Sequence, residues 1–262
     1  MPTSQSNSGA AARLPRHAVR ARLCEGVVMK RDYYAREDVV RSYDSWRFGG
    51  PGGRWVNERE VRTVVSMLAH LPRDATILDI PVGTGRVAAA LLQCGFKHVD
   101  GADTSQGMLA AARARCGEGL TVHRWDAFSL ECAPNTFDAV VSMRLSFHYN
   151  DLQKMLAEFA RVLRPGGVLV CDSLRWSPRS VAPRLQGLLG GQVFARSDRV
   201  MKEGLAQAGF RVDRREALFL LPSLAYRALP GALLGPMEWL EAILPEGLRT
   251  KVVWRAVREA SL

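Results

Sequence analysis

Little in the 262 residues suggests a covalent or metal-built scaffold. The five cysteines (Cys24, Cys94, Cys116, Cys132, Cys171) stand singly, with no C-x-x-C pair among them. That argues against a zinc knuckle or a disulfide framework and for a reducing, cytoplasmic setting. No cluster of ligand-type side chains is visible at metal-binding spacing, so no metal is expected. No apolar run approaches the roughly 18 residues of a bilayer-spanning helix, and no apolar h-region marks a secretion signal. Blocks of five or six like charges are also missing, although the net charge is +10 and Arg far outnumbers Lys. Cations dispersed in this way favour solubility and a mild attraction for anions over a nucleic-acid footprint. No internal repeat is visible.

The composition that remains is that of an ordinary globular chain, 47% hydrophobic and 24% charged. At this length it buries a core without needing cross-links. Residues 1–30 read as a flexible basic arm: a Ser/Asn/Gly/Ala-rich start is followed by Arg13, Arg16, Arg20 and Arg22 before the first acid, Glu25. Residues 31–262 read as one domain. Its first stretch holds Tyr33, Tyr34, Tyr43, Trp46 and Phe48, then a GGPGG run (Gly49 to Gly53) that reads as a mobile loop. A helix is expected over Asn57–Leu71, with Asn57 as its cap and Glu58 and Glu60 in its first turn.

A regular alternation follows. Short apolar segments at Ala75–Ile80, His98–Ala102, Leu120–Trp125, Phe137–Met143 and Val168–Asp172 read as strands, with helical or loop segments between them. Strands spaced by helical segments make βαβ units and a parallel sheet, hence an α/β fold. Two further strands are expected at Phe210–Leu221 and Thr250–Ala256. Between them, residues 222–247 carry many large apolar side chains and little periodicity.

The segment Ile77-Leu78-Asp79-Ile80-Pro81-Val82-Gly83-Thr84-Gly85-Arg86 carries the chemistry. A strand ends on an acid, a tight loop holds two glycines, and a helix begins; such a corner offers free backbone N–H groups to a ligand. Gly83 to Ala88 satisfies the G-x-G-x-x-A dinucleotide pattern, with Asp103 twenty residues beyond Gly83. An NAD(P)-dependent oxidoreductase is therefore one reading. Asp79 favours another, because a carboxylate at the strand tip repels a pyrophosphate and attracts the ammonium and sulfonium of S-adenosylmethionine.

Here the chain resembles the class I S-adenosylmethionine-dependent methyltransferases, in particular the branch of ubiquinone/menaquinone-type and small-molecule enzymes. ILDIPVGTGR resembles the first motif of that family, VDGADTSQGMLAAARAR the second-strand acid and its helix, RWDAFSL the third motif, and LRPGGVLVCDS the turn and fifth strand. Pro81 stands where the family has the first of three glycines. The resemblance implies a Rossmann-like, seven-stranded, mostly parallel sheet with an antiparallel last strand and helices on both faces.

It also implies roles. Asp79 would organise the loop and face the methionine amino end, Pro81, Gly83 and Gly85 would bring backbone close to the cofactor, and Asp103 would take both ribose hydroxyls. Thr104 and Met108 would flank the adenine, with Asp126 and Ala127 at its amino edge. Met143 and Arg144 would line the methionine part, Arg144 having a structural salt bridge as its alternative role. His148 is the candidate base, since imidazole removes a hydroxyl proton near neutrality; packing or turn-capping is its bland alternative.

The expected reaction is methyl transfer to a small, fairly hydrophobic acceptor, above all to oxygen. The aromatic segment 31–56 and the apolar segment 222–247 would act as lids. Membrane docking, a homodimer interface and plain packing are the other uses open to 222–247. Met143-Arg144-Leu145-Ser146 stands where nucleic-acid amino-methyltransferases carry an N/D-P-P-Y motif, which weighs against an RNA or DNA partner. An RNA or protein methyltransferase and a non-catalytic binding module complete the alternatives.

Overall fold

The structure is a computed structural model that describes residues 36–181 and 193–259. The basic arm, Cys24, Tyr33 and Tyr34 lie outside the described residues. The described residues open with helices α1 (Glu37–Phe48) and α2 (Gly50–Leu68). Then come β1 (Thr76–Asp79), α3 (Arg86–Gln93), β2 (His98–Ala102), α4 (Gln106–Cys116), β3 (Leu120–His123), β4 (Phe137–Ser142) and α5 (Leu152–Val162). The rest comprises β5 (Leu163–Leu174), α6 (Pro178–Val181), α7 (Asp198–Gln207), β6 (Phe210–Leu218), α8 (Leu234–Ile243) and β7 (Lys251–Arg258).

Seven strands form one sheet in the order β3-β2-β1-β4-β5-β7-β6. The first five are parallel, and β7 is antiparallel to both of its neighbours, β5 and β6. A dinucleotide fold of the 3-2-1-4-5-6 type has no such inserted strand. The expected sheet is thus observed.

Alternate residues of each strand point to opposite faces, and each face has its own core. Ile77, Val99, Ala139 and Val141 pack with α2, α3 and α4, whereas Leu78, Val140, Leu169 and Trp254 pack with α5 and α7. The helix α5 shows why the periodicity was legible. Leu152, Met155, Leu156, Phe159 and Val162 all face inward at a 3.6-residue period. Its N-cap is Asp151, which accepts the Lys154 amide at 3.1 Å.

The GGPGG segment corrects the sequence reading. It is the first turn of α2, not a mobile loop, and Asn57 sits inside that helix. Proline is compatible with a first helical turn because its missing N–H has no partner there. Gly52 is required by contact: a Cβ there would fall 1.8 Å from the carbonyl oxygen of Tyr226. The segment is a tight joint that presses α2 onto a distant turn. In the same way Glu60, expected in an exposed first turn, lies on the buried face of α2 beside Val56, Val64, Met67 and Leu68.

Candidate cofactor and acceptor site

The strand order reverses between β1 and β4, and there a cleft of about 1070 Å³, counted to its open mouth, lies at the carboxyl edge of the sheet. Open parallel sheets bind ligands at such a point because adjacent βα loops diverge there. Of the candidate residues, Asp79, Pro81, Gly83, Asp103, Thr104, Met108, Asp126, Ala127, Met143, Arg144 and His148 all line this cleft. Gly85 does not line it.

The loop after β1 is held by backbone. Ile80 and Pro81 are joined by a cis peptide bond, the Val82 amide donates to the Ala102 carbonyl at 2.8 Å, and Gly85 donates to Val82 at 2.9 Å. Nothing stands within 4 Å of where a Cβ on Gly83 would be, so this residue leaves its side of the cleft open. Gly85 serves a different purpose from the one expected. It caps α3 in the left-handed region (φ 77°), and a Cβ would come 2.9 Å from the Ala112 Cα. It is needed for the approach of α4, not of a ligand.

Asp79 also departs from expectation. It is 1% exposed, and its Oδ2 accepts the Ala88 amide in the first turn of α3 at 3.1 Å. Burial pushes its carboxyl up to about 8, against the opposing pull of Arg86 and the Ala88 amide and with added repulsion from Asp103. Burial thus favours the protonated form of Asp79 over the fixed negative charge expected at the strand tip. A cation entering the cleft would draw it into the ionised form.

Asp103, at the tip of β2, bridges two loops. One oxygen accepts the Gly83 amide at 3.1 Å and the other the Ser105 amide at 2.9 Å. Burial raises its pKa, while the amides of Ser105, Gly83 and Thr104 lower it. Each carboxylate oxygen has lone pairs to spare, so this orientation leaves Asp103 able to receive two further hydroxyl donors. Ser105 caps α4 by accepting the Met108 amide at 3.3 Å, which sets Met108 against the cleft. Asp126 accepts the Phe128 amide at 3.1 Å, and Ala127 beside it is buried.

Beyond β4, Met143 is buried and Arg144 adopts φ 63°, a strained conformation for a side chain of its size. The Arg144 amide donates to Asp172 Oδ1 at 2.8 Å. Its guanidinium grips Glu60 through two bonds, Nε to Oε2 at 3.1 Å and Nη2 to Oε1 at 2.7 Å. Arg144 thus lines the cleft and makes the salt bridge that was its alternative role. His148 closes the short 3-10 turn Ser146–His148, is half-buried, and lies 4.7 Å between ring centroids from Phe147.

Three features of the site escaped the sequence reading. Glu60 is fully buried and meets Arg86 at 3.0 Å, Arg144 at 2.7 Å and Lys251 at 2.7 Å. Burial pushes its carboxyl up, but the three cations together hold it well below the usual carboxylate range. Its position between Val56 and Val64, an acid on an apolar helical stripe, was the available signal. Lys251 also reaches Asp172 at 2.6 Å, a pairing invisible in the alternation of β7. Asp44 on α1 accepts from Thr84 Oγ1 at 2.7 Å and pairs with Arg115, tying α1 to the glycine loop. Tyr43 and Arg47 on the same helix line the cleft.

Comparison with known proteins agrees with this geometry. Residues 77–167 match the methyltransferase domain family. The chain is 37% identical over 124 residues to the ubiquinone/menaquinone biosynthesis C-methyltransferase of Desulfotalea psychrophila, covering 47% of this chain and 48% of that protein. It is 32% identical over 114 residues to the ubiquinone biosynthesis O-methyltransferase of Dinoroseobacter shibae, covering 42% and 46%. The chain thus spans about half the length of the curated relatives it matches. Among solved structures, magnesium protoporphyrin IX methyltransferase from Synechocystis PCC 6803 with bound SAH superposes with a TM-score of 0.62 at 20% identity, over 87% of this chain and 97% of that one.

Proposed function

We propose that the chain is a class I S-adenosylmethionine-dependent methyltransferase that transfers a methyl group to oxygen of a small, fairly hydrophobic acceptor. The observation that carries this reading is the convergence of eleven of the twelve candidate residues on one cleft at the switch point of the sheet.

S-adenosylmethionine supplies an electrophilic methyl group with a neutral thioether as leaving group. The residues present fit it: Asp103 would hold the ribose, Asp126 and Ala127 the adenine edge, Thr104 and Met108 its faces, and Asp79, Met143 and Arg144 the methionine end. Because that leaving group needs no proton, the protein's tasks are alignment, exclusion of water and, for a hydroxyl acceptor, removal of one proton. His148, which lines the cleft wall, would take that proton. The helix α1, clasped at Asp44 by Thr84 and Arg115, would supply a lid over the glycine loop.

S-adenosylhomocysteine is expected to raise the thermal midpoint and NADH to leave it unchanged; the opposite pattern would end this reading. Replacing His148 with Ala should lower kcat by about 10²–10⁴-fold, the usual worth of a general base, while S-adenosylhomocysteine affinity stays within about twofold. Loss of cofactor affinity instead would make His148 a structural residue. Carbon methylation is the second reading, supported by the similarity to the quinone C-methyltransferase. Mass and NMR analysis of a labelled product distinguishes an ether methyl from a ring methyl.

A further inference from the structure

Beside the cofactor cleft a second cavity, of about 940 Å³ counted to its open mouth, lies at the same edge of the sheet but over its other half. Leu174 at the end of β5, Trp176 just beyond it, Phe147 after β4 and Leu224 after β6 give it apolar walls. Arg47 and Arg144 line both cavities, so the two are contiguous. The short turn Ser146–His148 stands at their border: Phe147 lines the second cavity, and the next residue, His148, lines the cofactor cleft.

Arg47, Arg144, Arg179 and Lys251 also line the second cavity, and among the described residues no carboxylate does. Each of these cations already has a partner. Lys251 meets Glu60 at 2.7 Å and Asp172 at 2.6 Å, and Arg144 meets Glu60 at 2.7 Å while lying over the Phe48 ring at 5.1 Å. The Arg47 guanidinium lies over Trp46 at 5.8 Å, and Arg179 is engaged as well. A charged ligand therefore meets no cation that lacks a partner. To pair with Lys251 or Arg144 it would have to break a buried ion pair, which is strongly unfavourable. Left unpaired, it would give up its hydration without compensation. What these long side chains leave to a ligand is their methylene stems, beside the apolar walls. Trp176 is 40% exposed, and that is apolar surface which a ligand in the cavity would cover.

We propose that the second cavity is the acceptor site and that it takes an uncharged apolar body, packed on Trp176, Phe147 and Leu224 with its methyl-accepting atom at the border formed by Arg144 and the Phe147–His148 turn. This rests on the methyltransferase reading above and narrows its acceptor. Trp176 is then a specificity-determining residue, because its uncovered ring rewards apolar contact. An acid of the same shape is rejected by the cost of stripping its carboxylate of water.

The test uses the full chain saturated with S-adenosylhomocysteine, titrated calorimetrically with uncharged and acid partners: 2-naphthamide and 2-naphthoate, indole-3-acetamide and indole-3-acetate, decanamide and decanoate. At least one amide should bind about tenfold more tightly than its acid, the scale of a carboxylate desolvated without a new partner. Trp176→Ala and, separately, Leu224→Trp, which fills the cavity, should each weaken that amide at least about fivefold and leave S-adenosylhomocysteine affinity within about twofold. Acids matching or surpassing their amides in every pair, no binding by any amide, or amide affinities untouched by both substitutions would overturn the proposal while leaving cofactor binding intact. Failure of S-adenosylhomocysteine to bind would instead overturn the methyltransferase reading, and this inference with it.

Discussion

The two halves of the sheet edge build their cavities by opposite means. Over β2, β1 and β4 the cleft is made from short βα corners: Gly83, Asp103, Thr104 and Asp126 lie within a few residues of a strand end, and their partners are neighbouring amides. Over β5, β7 and β6 the second cavity is made from long excursions and from side chains far apart in sequence. Lys251 and Glu60, 191 residues apart, meet at 2.7 Å, and Arg144 reaches Glu60 across 84 residues. The first half builds its cavity with backbone that the strand geometry dictates. The second builds its own with charge and apolar surface assembled by tertiary contact.

The largest effect is expected where the two halves join. Glu60→Gln leaves Arg86, Arg144 and Lys251 around a neutral amide, and breaking a buried pair in this way costs about 3–5 kcal/mol. Denaturant unfolding should show that loss; a variant as stable as the parent would mean that the cations find other partners. Next in size, Asp103→Ala should weaken S-adenosylhomocysteine binding by about 100-fold, as the loss of two hydrogen bonds to a charged group would. Trp176→Ala, in the other half, should leave that affinity within about twofold and weaken acceptor binding instead. If both substitutions affect the same ligand, the division between the halves is broken.

The pH dependence sharpens the account of Asp79. Its carboxyl is pushed up to about 8 in the unliganded protein, mainly by burial. A folded-state pKa above the unfolded one stabilises the fold below the unfolded pKa, and that contribution is lost as pH rises through about 8. The unliganded protein should therefore lose some stability between about pH 4 and pH 8 through this residue. Cofactor affinity should change the other way. An ammonium favours the ionised carboxylate, so binding releases a proton and tightens by up to about tenfold per pH unit below about 8. Calorimetry in buffers of different ionisation heat measures the released proton, and Asp79→Asn should abolish it.

How much of this was legible follows the same division. The strands β1, β2 and β4 were readable because each depends on neighbours a few residues away. Asp103, Asp126 and His148 could be placed because strand ends lie along one edge of a parallel sheet. Gly85 was misassigned for a long-range reason: the Ala112 backbone that excludes a Cβ belongs to the next helix. GGPGG read as a loop because the turn at Tyr226 that accepts its bare backbone is more than 170 residues away. Glu60 was misplaced because its three cations come from three separate elements.

From the residues alone came the alternation of strand and helix, the parallel sheet it forces, and the acid–glycine corner after the first strand. All of these are properties of spacing and backbone chemistry, which a linear chain carries with it. Only the folded molecule decided the protonation of Asp79, the grip of Glu60 on three cations and the cationic wall of the second cavity. Burial and electrostatic pairing depend on which distant groups arrive at one place, and that is set by packing.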